Sequence, residues 1–163
     1  MVNDHQDQAL RDQLVRLMRG GQAFTPLEEV LAGITAADAG RPVPGLPYTL
    51  WKLIEHLRLT LYDILEFSRD PAYQSPAWPE GYWPPEAGPA SQAQLDRSIL
   101  LLSEGLEAMI TLVQDPARDL FAPFAHGDGQ HLLREAMLVA EHNAYHLGEV
   151  VVLRRLLGIW QET

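Results

Sequence analysis

The run from His131 to Leu157 is the most apolar of the chain, and it limits the possible folds more than any other stretch. At helical spacing it reads as one helix from about Gln130 to Leu157, apolar on most sides. Such a helix has to be central, or shared with a second subunit. Inside it lies Glu141-His142-Asn143-Ala144-Tyr145-His146-Leu147-Gly148-Glu149. Two histidines four apart on a helix are separated by about 40° around the axis and roughly 6 Å along it, so both rings can reach one metal ion. Asn143 stands where the H-E-x-x-H motif needs its glutamate base, which argues against metalloprotease chemistry. Burying His, Asn, Tyr, His and Glu among Leu, Val and Ala is costly unless those groups have partners. A cation with an ordered outer shell would supply them.

The charge balance narrows the partners. There are 22 acidic against 12 basic residues, a net charge of −10. Lys52 is the single lysine, and the arginines are scattered. A nucleic-acid partner would need a basic face to displace counterions, so none is expected. The chain has no cysteine, hence no disulfide framework, thiolate ligand or cysteine nucleophile. No apolar run reaches membrane-spanning length, and the polar N-terminus is unlike a signal peptide, so a soluble cytoplasmic protein without a membrane partner is expected. At 163 residues and 47% hydrophobic content, residues 1–163 read as one domain.

The remaining segments read as helices joined by substantial connections. Ala9, Leu10, Leu14, Leu17 and Met18 recur in steps of three and four, predicting a first helix over Asp4–Met18. Gly20-Gly21 interrupts it, and Thr25-Pro26-Leu27-Glu28 predicts a restart to about Ile34, with Thr25 as cap. Residues 36–47 read as a Pro/Gly linker. Thr49 is the expected cap of a second helix, Leu50 to about Ser68, carrying His56 beside its apolar stripe. Residues 70–90 form a long loop with six prolines plus Tyr73, Trp78, Tyr82 and Trp83. It reads either as a strap over one end of the core or as a pocket wall. Ser91 and Gln94 start a third helix that Asp115-Pro116 ends, and Asp128 is the expected cap of the fourth. Gly158 is its expected C-cap, and Arg154 and Arg155 suit the negative end of its dipole. No period-two pattern competes, so the fold class is all-α, a four-helix bundle with a long Pro/aromatic loop between helices two and three.

These residues together resemble the DinB-like family, also described as DinB/YfiT-like metalloenzymes. The resemblance rests on Leu17-Met18-Arg19-Gly20-Gly21, on Trp51-Lys52-Leu53-Ile54-Glu55-His56-Leu57-Arg58 and on Trp78-Pro79-Glu80-Gly81-Tyr82-Trp83-Pro84. It is strongest in Gly127-Asp128-Gly129-Gln130 and His142-Asn143-Ala144-Tyr145-His146-Leu147-Gly148. It implies an up-down-down-up bundle, frequently a homodimer. It also implies a divalent ion, zinc, nickel or iron, held by His56, His142 and His146. His131 stands where similar sequences commonly carry Thr. It lies about 16 Å along the helix from His142, out of reach of the same site, and reads as a helix-terminal residue.

Three neutral imidazoles leave a divalent ion with open coordination positions, as in a catalytic site. A water or thiol there would be acidified. Asp63, Glu141 and Glu149 are the nearest carboxylates by helical spacing. Glu149, one turn beyond His146, is expected either to orient that ring or to serve as the catalytic general base. Tyr145 reads as a packed core aromatic, with donation to a bound oxyanion as the alternative. The family includes thiol-dependent S-transferases and some hydrolase-like members. The resemblance therefore implies a metal-dependent transferase or hydrolase acting with a low-molecular-weight thiol or other small molecule. The alternative is a non-catalytic, stress-associated metal-binding homodimer.

Overall fold

The computed structural model describes residues 3–161, and every regular element among them is helical. Among the described residues the one β-type pairing is an isolated antiparallel bridge between Pro123 and His131. There are six α-helices: α1 (Asp4–Arg19), α2 (Leu27–Leu31), α3 (Ala36–Ala39), α4 (Leu50–Arg69), α5 (Gln92–Gln114) and α6 (Leu132–Leu156). A single 3-10 turn, Glu80–Tyr82, interrupts the loop between α4 and α5.

Local chemistry explains most helix boundaries. In α1, Asn3 accepts from the Gln6 amide at 2.9 Å, and the Gln6 side chain accepts from the Asn3 amide at 3.2 Å. Two donors that the first turn would leave unpaired are satisfied reciprocally. Gly20 and Gly21 stop the helix at φ +76° and +81°, a left-handed backbone that a Cβ would strain. Thr49 caps α4 as expected, accepting from the Lys52 amide at 3.3 Å, while its hydroxyl donates to the Ala87 carbonyl at 2.6 Å. Ser91 caps α5. The Gln94 side chain accepts from Ala90, one residue earlier than a capping box requires.

Several boundary expectations are corrected. Pro26, not Thr25, is the N-cap of α2, without a side-chain bond, and α2 ends at Leu31 rather than near Ile34. Residues 36–47 are not all linker, because Thr35 accepts from the Asp38 amide at 3.1 Å and starts α3. A one-turn helix is too short to show periodicity, so only its cap could have marked it. His131, not Asp128, caps α6, its Nδ1 accepting from the Arg134 amide at 3.1 Å. The expected terminal role of His131 thereby acquires a mechanism. The C-cap of α6 is Leu157, with Gly158 following at φ +71°.

The long helices pack so that α1 and α4 each lie against both α5 and α6. The core between them is aliphatic, with Leu50, Leu53, Ile54, Leu57, Leu95, Leu102, Met109, Leu147 and Leu153 excluded from solvent. Each such side chain contributes about 1.5–3 kcal/mol on burial. Two arginines are buried with them, each against the carboxyl end of another helix. Arg11 donates to the carbonyls of Val113, Asp115 and Arg118 and pairs with Asp7 at 2.6 Å. Arg154 donates to the carbonyls of Val30, Ala32 and Ile159. Carbonyls left over at a helix end need donors, and a guanidinium supplies several at once. Arg154 therefore reaches beyond its own helix dipole and ties α2 to α6.

Helix α6 is central on one side only. Leu132, Ala136, Val139, Ala140, Asn143, Leu147, Val150 and Leu153 are buried. Met137, Tyr145, Val152 and Leu156 are exposed on its outer face. The apolar character on most sides is thus split between a core stripe and an uncovered stripe.

Candidate metal centre

The packing of α4 on α6 brings three imidazoles together. His56, in the middle of α4, is 3% exposed. His142 and His146, one turn apart on α6, are half-buried. The ring centroids of His56 and His142 lie 4.9 Å apart, those of His56 and His146 4.7 Å, and those of His142 and His146 4.5 Å. One ring nitrogen from each lies within 4.8 Å of the others. No other group of three or more His, Asp or Glu side chains among the described residues meets that condition.

Hydrogen bonds at the opposite ring nitrogens set the tautomers. His56 Nδ1 lies 2.8 Å from the Tyr82 carbonyl oxygen. A carbonyl only accepts, so Nδ1 carries the proton and Nε2 presents a lone pair. His146 Nδ1 lies 2.6 Å from Glu149 Oε2, with the same consequence. His142 Nε2 faces His56 Nε2 at 3.1 Å. This contact is satisfied when His142 donates from Nε2. To hold a cation through Nε2, His142 would carry its proton on Nδ1 instead, so that both Nε2 lone pairs could face the ion. Ligands about 2.0–2.1 Å from a tetrahedral ion stand about 3.3 Å from one another, so this pair already has ligand spacing.

Electrostatics favour the neutral form of two of the rings, His142 and His56. The His142 imidazole is pushed down to about 3, first by burial and then by the neighbouring His146 and His56. His56 is lowered chiefly by burial. Neutral imidazole is the form that ligates, so at neutral pH protons do not compete for these lone pairs. The donor set fits a divalent ion: three nitrogens, no thiolate, and a bonded acceptor behind two of the three rings.

The outer shell only partly matches the sequence expectations. Glu149 accepts from His146 through Oε2 and from the Tyr48 hydroxyl through Oε1 at 2.8 Å. Both its oxygens are engaged, on the ring side away from His146 Nε2. Tyr48 is pushed up to about 12, first by its bond to Glu149 and then by burial. Asp63 does not touch a histidine. It accepts from the Tyr82 hydroxyl at 2.8 Å, and so acts on the loop that carries the carbonyl behind His56. Glu141 is exposed on α6. Tyr145 is not a core aromatic, since it is 66% exposed with its ring edge-on to His146 at 4.9 Å. His131 caps its helix, and His126 bonds the Phe67 carbonyl away from the site.

Three participants were not assigned a role from sequence. Trp83 lies flat on His56, with centroids 3.9 Å apart and planes 4° from parallel. Tyr48 in turn stacks on Trp83 at 6.3 Å and 20°. The Tyr82 main-chain carbonyl completes the set. A backbone acceptor leaves no trace in residue identity, and Tyr48 lies 101 positions from Glu149. Only the density of aromatics over residues 70–90 signalled that this loop packs on something. No protein-family model matches the chain, and no curated protein and no solved structure matches it.

Proposed function

We propose that this protein is a DinB-like metalloenzyme, its four long helices forming an up-down-down-up bundle. His56, His142 and His146 hold a zinc, nickel or iron ion between α4 and α6. The observation that carries the reading is the convergence of three imidazole nitrogens, two of the rings backed by acceptors that fix their lone pairs. Buried imidazoles are seldom gathered in threes without a common partner, because each loses its hydration.

When bound, a divalent ion with three nitrogen ligands supplies open positions at which a water or a thiol is acidified. The chain's own residues do the rest. Tyr48 holds Glu149, Glu149 holds His146, and Trp83 keeps water off one face of His56. With both oxygens engaged, Glu149 serves as a positioning residue rather than the general base. Because the chain has no cysteine, a thiol nucleophile must come from a low-molecular-weight cosubstrate. The reaction proposed is thiol-dependent S-transfer to an electrophile, with hydrolysis as the other chemistry such a site supports.

The test has two stages. Elemental analysis of the purified protein should find one divalent ion per chain, and the cobalt-substituted protein should show absorbance bands that His142→Ala and His56→Ala remove. A panel of thiols with a reactive electrophile should then give conjugation that His142→Ala abolishes. Full metal content with turnover equal to that control would reject the enzyme and leave the second reading, a non-catalytic homodimer. The uncovered stripe of Met137, Tyr145, Val152 and Leu156 favours a dimer, since it runs along the same helix as two of the ligands. Under that reading a chelator lowers the melting temperature strongly without any activity being at stake. The net charge of −10 speaks against nucleic acid as partner.

A further inference from the structure

We propose that the loop between α4 and α5, residues 70–91, is a metal-coupled strap. Its docking presets His56 for ligation, and metal loading in turn secures the strap. This rests on the three-imidazole reading above and extends it to regulation of the same site.

The strap meets α4 through three contacts made by two consecutive residues. The Tyr82 carbonyl takes the His56 Nδ1 proton at 2.8 Å, leaving Nε2 bare. Trp83 covers the same ring at 3.9 Å, blocking its rotation. The Tyr82 hydroxyl donates to Asp63 at 2.8 Å, two turns along α4 from His56. Burial and Asp63 together raise Tyr82 to about 12, so the phenol remains a donor. The 3-10 turn is closed by the Gly81 amide on the Ala77 carbonyl and the Tyr82 amide on the Pro79 carbonyl, at 2.8 and 3.1 Å. Further along, the Ala87 carbonyl is held by Thr49, and Gly88 sits so close to Gly40 that a Cβ there would approach the Gly40 Cα to 2.9 Å. Residues 79–83 thus form one short turn, held by Asp63 through the Tyr82 hydroxyl and by the ligand ring through the Tyr82 carbonyl and Trp83.

A free imidazole chooses between two tautomers, and only Nδ1–H suits both the Tyr82 carbonyl and a cation at Nε2. Strap docking and metal binding therefore favour the same state of His56. Two events that favour one state are coupled, and the coupling is reciprocal. The Tyr82 hydroxyl and Asp63 act through the strap, so they are positioning residues.

The experiment uses the full chain, stripped with chelator and titrated with zinc. Zinc affinity is measured by competition with a chromophoric chelator, and amide exchange is followed over residues 79–83. Zinc should slow exchange of the Gly81 and Tyr82 amides at least tenfold. Tyr82→Phe, which keeps the carbonyl and loses the hydroxyl, should weaken zinc binding by about tenfold. Asp63→Asn should fall between that variant and the wild type, and Arg69→Ala, at the exposed end of α4, should match the wild type. Zinc uptake with unchanged exchange and wild-type affinity in Tyr82→Phe overturns the strap and leaves the metal site standing. So does an equal loss of melting temperature in Tyr82→Phe with and without zinc, which marks a hydroxyl that only stabilises the fold. Failure of the wild type to take up zinc, nickel or iron overturns both.

Discussion

At the scale of single residues the centre is defined by which nitrogen of each ring is free. The depressed histidines make a prediction about acid stability. His142 titrates near 3 in the folded chain, and His56 also lies below its ordinary value. In the unfolded chain both titrate near the ordinary value of about 6.5. Between those values the unfolded state binds more protons, so stability rises with pH across the window. The contribution is fully present above pH 6.5 and is lost as pH falls towards 3. The expected slope is at most about 1.4 kcal/mol per pH unit for each imidazole. Urea midpoints between pH 4 and 7 in chelator should show it, and His142→Ala should flatten the curve. An unchanged slope in that variant would mean that other groups govern acid unfolding.

At the scale of elements, the short helices are held by side chains from the long ones. Arg154 is the strongest case, a buried cation whose two terminal nitrogens donate to main-chain carbonyls at the C-terminal end of α2 and in the C-terminal segment. Removing it leaves several buried acceptors unpaired. Arg154→Ala is expected to destabilise the protein by about 2–4 kcal/mol in denaturant unfolding. The ion pair of Arg19 with Glu107, both about half exposed, provides the contrast. Arg19→Ala should change stability by less than about 1 kcal/mol, because solvent screens such pairs. Comparable losses in the two variants would refute the clamp. The helix caps were legible in advance at Thr49 and Ser91, where a polar residue precedes a clear apolar stripe. They were misread at Thr25, where α2 opens on Pro26 with no side-chain cap, and at Asp128, where His131 three positions on takes the cap.

At the scale of the whole molecule, α6 works on both sides. Its inner stripe fills the core and its half-buried histidines face α4, while Met137, Tyr145, Val152 and Leu156 remain uncovered. Sedimentation velocity should find a dimer, and Val152→Glu should convert it to monomers with metal content unchanged. A wild-type monomer at all concentrations would remove the dimer proposal. Tyr145 leans on His146 from that outer face, so the stripe and the three-histidine cluster are contiguous.

Residue identity alone determined that the chain is helical, where its long helices run, and that His142 and His146 share a face. Each of these follows from periodicity, which acts within a few residues. It also singled out His56, through the company that residue keeps in a resembling motif. The distance between His56 and the α6 pair was a matter for the tertiary structure, as were the Tyr82 carbonyl behind His56, the stack of Trp83 and Tyr48, and the exposure of Tyr145. Those contacts join residues tens of positions apart. They arise from how α4, α6 and the intervening strap pack, and no local pattern encodes that arrangement.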